Sequence, residues 1–76
     1  MKADIKKMIA DELNVGLEVV TSDLAVGDIP EWDSMAHVRI IVALEGATGI
    51  ELDVEQALDL EDVEDLIEAF SSDKLN

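Results

Sequence analysis

The alternation of apolar and polar positions divides the chain into four periodic stretches and one long irregular one. Between residues 3 and 14, Ile5, Met8, Ile9 and Leu13 recur at helical spacing, with Lys6, Asp11 and Glu12 off that stripe. This predicts an amphipathic helix closed by Val15-Gly16. From 17 to 31 the period is lost, although Val19, Val20, Leu24, Val26 and Ile29 keep the stretch apolar enough to pack down. Thr21 or Ser22 is placed to cap a single turn at 23–25. Trp32, the only tryptophan, is expected to fold its indole over the start of the next helix.

From Met35 to Leu44 only His37 and Arg39 are polar. A helix apolar most of the way round is packed from several sides, so this one is predicted to be surrounded by the rest. Asp33-Ser34 supplies two capping residues in tandem, with Ser34 taken as the cap, and Gly46 and Gly49 mark the stop. Residues 48–52 read as an extended linker with no strand to pair with. Asp53 then caps a short helix over 54–58. The last helix runs from about 61 to 71 and buries Val63, Leu66, Ile67 and Phe70, with Asp59 or Glu61 at its positive end. Residues 72–76 are expected to fray. The sum is an all-α fold: a small four-helix bundle of three main helices and one short one, with a long loop between the first and second, forming a single domain over 1–76.

Composition narrows the chemistry. A chain of 76 residues is near the lower limit for a core without staples, and the absence of Cys removes disulfides and thiolate metal sites. One His excludes zinc sites built mainly on histidine. The formal charge of −14 repels phosphate polymers and anionic membranes, so neither nucleic acid nor membrane insertion is expected, and partners with basic patches are favoured. A hydrophobic content of 49% with clear periodicity argues against disorder. No apolar run is long enough to span a bilayer. The expectation is a soluble, cytoplasmic monomer.

Ser34 is the candidate for chemistry. A hydroxyl at a helix N-terminus suits a phosphoester, because the free N–H groups and the macrodipole both favour an anion there. His37, three residues on, is weighed as a general base for Ser34 with Asp33 or Glu31 as orienter, and is instead expected to be an exposed contact residue. Nine acidic residues lie between Glu51 and Glu68, without the EF-hand order, so no metal site is expected. The four glycines are isolated and form no phosphate-cradling loop.

Asp33-Ser34-Met35, after a long loop and before an apolar helix ending Ala43-Leu44-Glu45, resembles the acyl carrier proteins, whose hallmark is Asp-Ser-Leu or Asp-Ser-Met at the start of the second of four helices. The likeness runs from about Ile5 to Phe70 and includes Gly49-Ile50-Glu51-Leu52 and Glu61-Asp62-Val63. It implies a non-enzymatic phosphoprotein carrying 4'-phosphopantetheine, esterified to Ser34 with Asp33 as its companion. A phosphopantetheinyl transferase installs the arm from coenzyme A, and its thiol holds acyl, aminoacyl or polyketide intermediates as thioesters. The implied partners are a loading ligase and downstream transferases or synthases. Fatty-acid-synthesis members carry acids soon after the serine, where this chain has Ala36, His37 and Arg39. Met35, Ala36, His37, Val38 and Arg39 are therefore the expected partner-binding positions of a specialised carrier, since like charge rejects basic surfaces. Thr48 in place of an aromatic favours short acyl or aminoacyl cargo. The alternative is an unmodified acidic protein–protein interaction module of the same fold.

Overall fold

The computed structural model describes residues 4–71. Among them are four α-helices: α1 (Ile5–Leu13), α2 (Ser34–Thr48), α3 (Val54–Asp59) and α4 (Val63–Ala69). No strand occurs among the described residues, only an isolated antiparallel bridge between Ala25 and Asp62. The helical bundle expected from the periodicity is therefore present, with α1 packed on both α2 and α4. The tail at 72–76 lies outside the described residues.

α1 starts on Asp4, whose Oδ1 accepts from the Lys7 amide at 3.2 Å, and buries Ile5, Ile9, Ala10 and Leu13. It ends one residue earlier than expected. Asn14 takes the left-handed conformation at φ 60°, and Val15-Gly16 only follow. Asn tolerates that region because its short side chain bonds locally. The other side of the core comes from Ala36, Ile40, Ile41 and Leu44 of α2, and from Val63, Leu66 and Phe70 at and beyond α4. Ile67 is only half-buried.

The long connection packs down as its aliphatics require, with Val20 buried and Leu24, Val26 and Ile29 against the core. A 3₁₀ turn forms at Leu17–Val19, which the pattern did not predict, and the expected turn falls slightly earlier, with Leu24 N donating to Thr21 O at 3.1 Å. Thr21 caps no helix there; its hydroxyl donates to Asp23 Oδ1 at 2.7 Å. The loop is then tied to the start of α4 by main-chain bonds. Val26 N donates to Glu61 O at 2.9 Å, Val63 N to Leu24 O at 2.9 Å, and Glu64 N to Ser22 O at 3.0 Å. These satisfy backbone groups that burial would otherwise leave without partners.

α2 departs most from expectation. It runs through Gly46 and stops at Gly49, which is left-handed at φ 76°. It is not surrounded. Met35, Val38 and Val42 are 72%, 57% and 61% exposed and line its outer side. α3 begins at Asp53 as expected, where Gln56 Oε1 accepts from the Asp53 amide at 3.0 Å, and it buries no residue fully. α4 begins later than expected and is capped by Asp62, whose Oδ1 accepts from Asp65 N at 2.8 Å, rather than by Asp59 or Glu61.

Candidate functional site

The tip of α2 is set by the turn before it. Pro30 supplies a fixed φ inside Ile29–Trp32, and Trp32 N closes that turn on Ile29 O at 3.1 Å. Trp32 O accepts from Gly27 N at 2.8 Å, with Gly27 at φ 90°. The chain thus arrives at Asp33 extended, at φ −99° and ψ −173°, which is cap geometry. Asp33 Oδ1 accepts from Ala36 N at 2.9 Å. Asp33, not Ser34, is therefore the N-cap, and Ser34 is the first helical residue. This corrects the expectation that Ser34 caps the helix.

The consequence is chemical. Ser34 is exposed, and among the described residues its hydroxyl has no hydrogen-bond partner. The amides of Ser34 and Met35 lie in the first turn, where no intrahelical acceptor exists. An anion esterified to this oxygen would meet those amides and the positive end of a 15-residue helix. The residues present fit a phosphate diester at Ser34.

His37 corrects a second expectation. It is 5% exposed, not a surface contact residue. Trp32 Nε1, which can only donate, gives its proton to His37 Nδ1 at 3.1 Å. That fixes the Nε2–H tautomer, which donates to Ala57 O at 3.3 Å. The two rings stack with centroids 5.9 Å apart, and Trp32 is fully buried over the start of α2, as expected. With both nitrogens engaged inside the protein, His37 is no general base for Ser34. A loop, α2 and α3 are joined by this one chain of hydrogen bonds.

Of the five positions expected to bind partners, Ala36 and His37 are buried and cannot touch one. Met35, Val38 and Arg39 are exposed on the outer side of α2. Val42, one turn on from Val38, and Val54 and Leu58 on α3 are exposed apolar residues that periodicity alone did not single out. The spacing of Met35, Val38 and Val42 was visible as i, i+3 and i+7, but the same helix carries a second apolar stripe facing the core. No group of three or more His, Asp or Glu among the described residues is placed to hold a metal. No helix among them is long and apolar enough to cross a membrane.

Ser34 is thus an exposed serine at a helix tip, with no base of its own among the described residues. Residues 3–70 match the family described as a phosphopantetheine attachment site. An acyl carrier protein of Helicobacter pylori (strain G27) is 35% identical over 72 residues, covering 95% of this chain and 92% of the relative. That of Syntrophobacter fumaroxidans is 31% identical over 74 residues, covering 97% and 91%. That of Thermosynechococcus vestitus is 33% identical over 64 residues, covering 84% and 79%. The chain belongs to the acyl carrier protein family. It is a carrier, not an enzyme, and its cofactor is covalent 4'-phosphopantetheine. Membership also implies dealings with a phosphopantetheinyl transferase and with biosynthetic enzymes.

Proposed function

We propose that Ser34 is the attachment point of the arm, and that Asp33 holds it in place by taking over the capping of α2. The observation that carries this is the exposed Ser34 hydroxyl, unpartnered among the described residues, at the first position of a capped helix. When bound, the arm supplies a thiol on which acyl groups ride as thioesters. The chain's own part is to keep the phosphoester at the tip and to show partners one face of α2. Intact mass after incubation with coenzyme A and a broad-specificity transferase should show one phosphopantetheine adduct, lost in Ser34→Ala. An unmodified mass would instead favour a non-covalent acidic interaction module of the same fold.

The partners are read from the outer side of α2. Met35, Val38 and Arg39 follow Ser34 there, and the helix carries no acid before Glu45. Apolar contact with one cation suits a dedicated loading ligase and downstream transferases better than enzymes built to receive acids. This supports a specialised pathway. Arg39→Glu should increase turnover with fatty-acid-synthesis enzymes that dock on α2, while leaving the melting temperature unchanged. Unchanged turnover would move recognition to another face.

A further inference from the structure

α3 is the helix least attached to the rest of the fold. It is six residues long, and none of its residues is fully buried. Among the described residues a single hydrogen bond joins it to the loop or to another helix, from His37 Nε2 to Ala57 O at 3.3 Å. We infer that His37 is a proton-operated latch. The neutral imidazole holds α3 against α2, and its protonation releases α3 while the rest of the bundle stays folded.

The latch works because both ring nitrogens are committed in one tautomer. Nδ1 takes the Trp32 Nε1 proton at 3.1 Å, and an indole nitrogen only donates. A proton on Nδ1 would set two N–H groups against each other with both rings buried. No counter-charge stands by to hold it. The ring meets the loop, α2 and α3, and among the described residues no carboxylate bonds to it or pairs with it. On the loop, Asp28 and Asp33 are engaged on the Ala25 and Ala36 amides, and Glu31 is exposed. On α2, Glu45 is engaged on Leu52 N and Arg39 is exposed, and at α3 the carboxylates of Asp53, Glu55 and Asp59 belong to exposed residues. A charged imidazole must therefore leave its slot for water, and leaving breaks the bond to Ala57.

With the latch closed the ring takes up no proton, and with it open the ring takes up one, so opening is favoured as pH falls through the range where imidazoles titrate. Carboxylates ordinarily titrate below that range, so the surface charge changes little across it. α3 yields first because the least holds it. A helix of six residues does not persist alone in water. α1, α2 and α4 instead share the core, and the loop is bonded to the start of α4. α3 also carries the exposed apolar residues Val54 and Leu58, so the proton decides whether that part of the surface is set or released.

The test follows the ¹⁵N-labelled full chain by NMR between about pH 7.5 and 5.5, through amide–water exchange corrected for its intrinsic pH dependence. The chain holds one His, so the imidazole nitrogens report this site alone. At the upper pH their shifts should show the Nε2–H tautomer. The Ala57 and Leu60 amides should exchange about tenfold faster at the lower pH, the gain expected of one proton taken up by an ordinary imidazole, with the Leu66 and Phe70 amides unchanged. His37→Gln offers an acceptor and a donor but does not titrate, so it should remove the pH dependence. The inference is overturned by an Nδ1–H tautomer, by exchange at Ala57 and Leu60 that does not respond to pH, or by a ring that charges while those amides stay protected. An equal rise at Leu66 and Phe70, or a pH dependence kept in His37→Gln, overturns it too. Should that variant fail to fold, the wild-type series decides alone.

Discussion

Replacing His37 by leucine should cost this domain a large share of its stability. The substitution puts an apolar side chain of similar reach in the buried position, so the loss is mostly that of the polar contacts. Ala57 O retains the Leu60 amide as a donor at 3.2 Å, whereas Trp32 Nε1 loses its acceptor while fully buried. A stranded buried donor costs about 1–3 kcal/mol. A domain of 76 residues has a total stability of about 4–11 kcal/mol. His37→Leu should therefore remove about 2 kcal/mol, a fall in melting temperature of roughly 8–16 °C. Urea unfolding followed by far-UV circular dichroism, with the slope unchanged, measures the difference directly. The cycle is completed by Trp32→Phe and the double variant. Once His37 is gone, Trp32→Phe should cost about 1–2 kcal/mol less than it does alone, because the donor it removes is already stranded. A loss under about 0.5 kcal/mol for His37→Leu, or additive single effects, would show that this hydrogen bond does not hold loop and helix together.

Three further outcomes follow from the backbone and the charge. Gly46 is helical with open space at its Cβ, so Gly46→Ala should stabilise by about 0.5–1 kcal/mol, whereas Gly49→Ala, at φ 76°, should destabilise; thermal melts that move in the same direction would refute this. Asp33→Ala should cost about 1 kcal/mol through the lost cap, measured by denaturant unfolding, and a neutral result would mean that Ser34 has taken over the capping. With a net charge of −14, added salt and millimolar magnesium should raise the melting temperature by screening self-repulsion; a falling melting point across a titration would count against it.

The helices were legible wherever one stripe of residues decides burial. α1 and α4 announce themselves through Ile5, Ile9 and Leu13, and through Val63, Leu66 and Phe70. What was not legible depends on groups distant in the chain. Asp and Ser rank alike as caps, and the choice between Asp33 and Ser34 was made by the extended backbone that the Pro30 turn delivers. His37 reads as a polar interruption of an apolar helix and so as a surface residue. It is buried because Trp32 offers a donor and Ala57 an acceptor from elements the local pattern cannot bring together. The bridge from Leu24 and Val26 to Glu61 and Val63 is equally non-local. α2 misled by being apolar on two sides. One stripe serves the core and the other faces water, and a count of apolar residues does not separate them.

Because Asp33 does the anchoring, the neighbouring oxygen is structurally idle. Were the proposed arm carried there, fitting or removing it would leave the helix start intact, so bare and laden molecules would share one scaffold. Partners of such a shuttle would then tell full from empty by the freight itself, not by a change in the vehicle.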